Sequence, residues 1–87
     1  MIKETIGYSI REFVIDNFLY GQGTVTDQES FLQAGLIDST GVLELVTFLE
    51  DRFQIAIADE ELVPDNLDSV ERLVTFIEQK LQELQAN

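Results

Sequence analysis

Eighty-seven residues suit one domain spanning 1–87 and leave no room for a second. The 45% apolar share is that of a globular chain, and the lack of cysteine and histidine removes disulfides, thiolate chemistry, the usual catalytic base and most zinc sites. Seventeen carboxylates against five cations leave −12, a field that repels nucleic acid and anionic membrane surfaces but speeds encounters with basic protein surfaces.

The opening Met-Ile-Lys-Glu-Thr-Ile is not the basic-then-apolar run of a signal peptide, and no apolar stretch approaches a membrane span, so a cytoplasmic protein is expected. Ile2, Ile6, Ile10, Phe13, Val14 and Phe18 then recur at spacings of three and four. They predict an amphipathic helix of about four turns. Gly21, Gly23, Thr24, Thr26 and Asp27 break the pattern and open a long connection from Tyr20 to Asp38. Loops of this length are uncommon unless functional or pinned by their own side chains, and Phe31, Leu32, Leu36 and Ile37 are expected to reach back into the core.

A second helix starts near Ser39, with Val42, Leu45, Val46, Leu49 and Phe53 on one stripe. Gln54 to Ala58 reads as an apolar connector. Asp59-Glu60-Glu61-Leu62 reads as one helical turn favoured by acids at its start, which Pro64 is expected to stop. The last helix begins at Asp68 or Ser69, either of which can cap it, and Asp68 with Glu71 fits a capping box. Its stripe is Val70, Leu73, Val74, Ile77, Leu81 and Leu84. The expected fold class is all-α: a small four-helix bundle of three main helices and a short third one, with a long loop between the first and second.

One segment stands apart: Gly35-Leu36-Ile37-Asp38-Ser39-Thr40, running straight into a helix. Asp38 can cap that helix, which leaves the Ser39 hydroxyl in the first turn facing solvent. The free amides and the positive end of the helix dipole there favour an attached phosphate. On the dipeptide alone, a plain helix cap is the commoner explanation.

The wider stretch from Phe31 to Thr40 resembles the phosphopantetheine attachment site of acyl and peptidyl (aminoacyl) carrier proteins. The likeness continues through Leu43 to Val46, Leu49 to Phe53, Ile55 to Glu61, and Ser69, Val70 and Leu73. It implies that a phosphopantetheinyl transferase moves a 4′-phosphopantetheine arm from coenzyme A onto Ser39. Asp38 would stand beside the phosphate and the transferase's magnesium. The arm's thiol would then carry an acyl or aminoacyl cargo, so that the reactive sulfur comes from the cofactor and catalysis from partner enzymes. The resemblance further implies a monomer whose second helix meets a loading ligase and downstream acyl-transfer enzymes. Glu44, Glu50 and Asp51 would present acid to basic patches, and Thr40 and Leu43 would add uncharged contacts. Two positions depart from the family pattern: Thr40 stands where leucine or methionine is common, and Gly41 where many fatty-acid carriers have an acid. The segment is closer to carriers serving amino-acid activation or specialised metabolism.

Two other classes compete. An acidic regulatory adaptor without a prosthetic group explains the charge but not Phe31 to Thr40. A hydrolase using Ser39 as nucleophile lacks a histidine, and neither Lys3 nor Lys80 has the context of a base. No stretch reproduces the oxygen spacing of a calcium loop.

Overall fold

The computed structural model describes residues 2–86, and within them the apolar stripes become three long helices: α1 (Lys3–Phe18), α3 (Ser39–Phe53) and α5 (Val70–Ala86). Two four-residue helices lie between them, α2 (Phe31–Ala34) and α4 (Pro64–Leu67), with a 3-10 turn at Asp59–Glu61. No strand occurs among the described residues. The core collects Ile6, Ile10 and Val14 of α1, Leu45, Leu49 and Phe53 of α3, and Val70, Leu73, Val74, Phe76 and Ile77 of α5. Each fully buried aliphatic side chain contributes about 1.5–3 kcal/mol, and no stripe can be buried except against the others.

The expected all-α bundle is therefore present, with three differences in detail. The stripes overrun the core at its ends, since Ile2 and Leu84 are exposed. The acidic turn is only the 3-10 segment. That turn stops short of Pro64 as expected, but Pro64 then occupies the first position of a further short helix, α4, where its missing N–H is harmless and its fixed φ is already helical.

The long connection is pinned as predicted, but not by all the residues named for it. Phe31 and Ile37 are buried and Leu36 is half-buried, whereas Leu32 is exposed; Val25 supplies the remaining anchor. Polar ties complete the attachment. The Phe31 N–H donates to the Asp68 carbonyl (2.9 Å) and the Glu71 N–H to the Asp27 carbonyl (2.9 Å). Asp68 does not cap α5, because its carboxylate accepts from the Ser30 hydroxyl (2.5 Å) and the Leu32 N–H (2.9 Å). Ser69 is the cap instead, its hydroxyl accepting from the Arg72 N–H at 3.1 Å.

Three of the five cations tie a connecting segment or short helix to a long helix. Arg11 of α1 holds Asp27 of the loop at 2.7 Å, and Arg72 of α5 pairs with Asp65 of α4 at 3.5 Å. Lys80 of α5 holds Glu61 of the 3-10 turn at 2.9 Å. The Ala58 N–H donates to Glu61 Oε1 (2.9 Å); this bond, seconded by Lys80, lowers the Glu61 pKa below its ordinary 4.5. A depressed carboxylate stabilises the fold above its unfolded pKa and loses that contribution as pH falls through the folded value. We expect Glu61→Gln to cost on the order of 1 kcal/mol at neutral pH. In urea titrations the gap from wild type should shrink steadily below pH 4.5; a gap that stayed constant into acid would show that the charge of Glu61 contributes nothing.

Candidate functional site

The segment singled out by sequence forms the junction between α2 and α3. Ser30 caps α2 through its hydroxyl, which accepts from the Gln33 N–H at 3.1 Å. Gly35 ends α2 with φ 68°, a left-handed conformation that glycine adopts without a Cβ penalty, and the Leu36 N–H closes the turn onto the Phe31 carbonyl (3.0 Å). Ile37 then plugs into the core and delivers Asp38 to the start of α3.

Asp38 is the cap that the sequence predicts. Its Oδ1 accepts from the Gly41 N–H at 2.8 Å, and its carbonyl accepts from the Val42 N–H at 2.9 Å. Ser39 is the first helical residue and is exposed, and its hydroxyl enters no hydrogen bond among the described residues. The first amides of a helix have no intrahelical acceptor, and with Gly41 satisfied by Asp38 those of Ser39 and Thr40 remain. A phosphodiester on Ser39 therefore fits this donor set, aided by the dipole of a fifteen-residue helix.

Gly41 has a structural cause that the sequence did not disclose. The residue is buried, and a Cβ on it would lie 2.9 Å from Phe18 Cε1 and 3.1 Å from Ile37 Cγ2. The end of α1 thus packs its aromatic ring directly onto the first turn of α3, beside Ser39.

The residues named on the second helix separate into two groups. Glu44 and Asp51 are exposed and line one open groove between α1 and α3, together with Thr40 and Leu43. Glu50 is half-buried and turned inward. Its Oε2 accepts from the Ile57 N–H at 2.9 Å, tying α3 to the following connector. The groove also takes in Phe13, Asn17, Thr47, Phe48 and Arg52, none of which was named for the site. Phe48 stands off the predicted stripe, a sign that it faces something other than the central core. On the opposite flank of α3 a cavity of about 140 Å³ lies under α2 and α4, lined by Ile37, Val42, Leu45, Leu62, Val63 and Leu67 among others.

A helical bundle with an exposed serine at a helix start, beside an acidic helix face, offers a place for a covalently attached group. Comparison with known proteins agrees. The family model for the phosphopantetheine attachment site matches residues 9–77. The acyl carrier protein of Exiguobacterium sibiricum is 36% identical over 78 residues, 90% of this chain and 96% of that one. An acyl carrier protein homolog of Mycoplasmopsis pulmonis is 36% identical over 73 residues, 83% and 96% of the two chains. The crystal structure of an acyl carrier protein from Thermotoga maritima superposes with a TM-score of 0.73 at 28% identity, covering 94% of this chain and 93% of that one. The chain belongs to the acyl carrier protein family and carries 4′-phosphopantetheine as its covalent prosthetic group.

The contact at Gly41 is testable. Alanine within a helix ordinarily gains about 0.5–1 kcal/mol over glycine, whereas overpacking costs about 1–3 kcal/mol. Gly41→Ala should therefore destabilise the bundle by roughly 1 kcal/mol in urea unfolding. Combined with Phe18→Ala, which removes the nearest of the contacts, the same change should cost clearly less. Additive effects in this double-mutant cycle would refute the contact.

Proposed function

We propose that Ser39 is the attachment point of the arm and that the chain carries an aminoacyl or acyl group as a thioester on it, in amino-acid activation or specialised metabolism. The observation that carries the reading is the free, exposed hydroxyl of Ser39 at the start of α3, next to two uncapped amides and the Asp38 cap. The Ser39 oxygen would form the new P–O bond to the phosphopantetheinyl phosphorus of coenzyme A, its proton passing to a base of the transferase while the bond to the nucleotide phosphate breaks and the nucleotide half leaves. Asp38 keeps one oxygen on the Gly41 N–H, and its other oxygen would be available to the magnesium that the transferase complex supplies. The chain supplies no catalytic base of its own, so thioester chemistry falls to the transferase, a loading ligase and the enzymes that accept the cargo. In this reading the protein works as a single monomeric carrier domain in the cytoplasm. Since Gly41 answers to Phe18, the departure that favours specialised metabolism rests chiefly on Thr40, an uncharged polar residue beside the arm where the family often has an apolar one.

Incubation with coenzyme A, magnesium and a broad-specificity transferase should add one phosphopantetheine to the intact mass. Ser39→Ala should abolish the gain entirely with an unchanged helical spectrum, because that side chain makes no internal bond. A wild-type chain left unmodified by several transferases would favour the adaptor without a prosthetic group.

Glu44 and Asp51 are proposed to steer basic partners, with Thr40 and Leu43 in the same contact. Glu50 joins them only as part of the field, since its carboxylate is engaged with Ile57. Charge reversal at Glu44 and Asp51 together should slow loading mainly through the association rate, by about tenfold at low salt, and the deficit should fade as salt rises. Loading at the wild-type rate in low salt would reduce both acids to a solvated face.

A further inference from the structure

Ser39 stands on a ridge of α3 with a different surface on each side. With each residue advancing about 100°, Val42 lies about 60° to one side of it and Leu43 about 40° to the other. Val42 lines the cavity beneath α2 and α4, whereas Leu43 lines the groove against α1. The cavity's 140 Å³ holds about five water-sized groups at ~30 Å³ each, enough for a short unbranched chain.

The groove offers different chemistry. Its floor is aromatic: Phe13 and Phe48 stack with centroids 4.2 Å apart and planes 16° apart. Phe18 packs edge-on against Phe13, and Phe53 against Phe48, so the stack is braced at both ends. Both stacked rings are only half-buried, and Leu43 at the wall is 64% exposed, so part of this apolar surface faces the groove. The approach from Ser39 is uncharged and polar, through Thr40, Asn17 and Thr47, a lining suited to the amide links of a pantetheine chain. The rim carries Glu44 and Asp51 against the single cation Arg52, whose guanidinium leans over the Phe53 ring at 5.6 Å. From Ser39 to Phe48 the helix rises about 13.5 Å, a distance within the span of an extended pantetheine arm.

We propose that this groove is the resting site of an aminoacyl group carried on Ser39, of the class with an aromatic or bulky apolar side chain and a free α-ammonium. The inference rests on the reading of Ser39 as attachment point. The side chain lies against the Phe13–Phe48 stack, the ammonium faces Glu44 and Asp51, and the arm runs past Thr40 and Asn17. Cargo bearing a second carboxylate is repelled by the same rim. Because the acids that hold the ammonium also face incoming partners, a basic partner surface competes for them and frees the cargo as it docks.

The test uses the full chain, its arm attached enzymatically and its cargo joined through a stable amide in place of the thioester. Nuclear magnetic resonance spectra are compared for the bare arm, phenylalanyl, N-acetyl-phenylalanyl and butanoyl forms. Phenylalanyl should move the signals of Leu43, Thr47 and Phe48 and give ring-to-ring contacts with Phe13 and Phe48. N-acetylation, which removes the charge, should shrink these shifts, and so should added salt. Butanoyl should instead move Val42, Leu62, Val63 and Leu67. Truncating Phe48 is liable to loosen the bundle, so the blocking variant is Thr47→Lys, on an exposed position. It fills the groove with a cation and should erase the phenylalanyl shifts while the mass still shows arm and cargo in place. Phenylalanyl shifts that fall on the cavity residues, or that survive Thr47→Lys, would overturn the proposal while leaving Ser39 as attachment point. A chain that takes up no arm would overturn both.

Discussion

The site depends on one residue far from it in sequence. Asp68, at the junction of α4 and α5, receives three hydrogen bonds from the head of α2: the Ser30 hydroxyl and the Leu32 N–H on its carboxylate, and the Phe31 N–H on its carbonyl. These fix α2, and through the left-handed Gly35 and the buried Ile37 they fix the direction from which Asp38 enters α3. A loop of this length is not held by entropy or propensity, and each residue ordered in it costs about 1–2 kcal/mol of backbone freedom. Buried Phe31 and the Asp68 latch offset that cost, so that a free serine is presented on a rigid helix end rather than on a mobile loop.

Charge follows the same division of labour. Arg11, Arg72 and Lys80 each draw a loop or short-helix carboxylate onto a long helix, and all three lie on α1 or α5. The helix that bears Ser39 has only Arg52 against Glu44, Glu50 and Asp51, and Glu50 is turned inward to Ile57. The acidity of this helix is thus left largely uncompensated on the exposed face that carries Glu44 and Asp51. Exposed pairs of this kind contribute little to stability, about 0–1 kcal/mol each, so placing the cations elsewhere sacrifices little on α3.

How much of this was legible in the sequence depended on the range of the interaction. Asp38 and Ser39 could be placed because a cap acts over three residues and its chemistry is carried by residue type. The three long helices could be placed because their stripes are periodic. Asp68 could not, since its partners lie 36 and 38 residues away, and its local context suited an α5 cap equally well. Glu50 appeared as a surface acid because nothing in its helix announces an N–H seven residues on. Phe48 and Phe13 belong to a contact between two helices that neither stripe predicts alone. Gly41 looked like a costly glycine in a first turn; its reason is Phe18, reached only once α1 and α3 are side by side. Pro64 was read only as the limit of the preceding turn, which does end before it; that it also starts α4 went unread, although a proline suits the first position of a helix.

A carrier must satisfy two opposed demands: the root of its arm has to be fixed, and its cargo has to leave. The structure separates them in space. Around Ser39, the proposed root, every element is over-determined, by the Asp38 cap, the ring of Phe18 against Gly41, the plug of Ile37 and the Asp68 latch. The surfaces within the arm's reach are by contrast small or open: a cavity with room for a few carbons on one side, and a groove with half-buried aromatic rings on the other. Contacts to such surfaces exclude little water and hold weakly, since the hydrophobic effect scales with area removed from solvent. If Ser39 holds the arm as proposed, its rigidity need not extend to the cargo, which surfaces of this kind would leave open to capture by a partner.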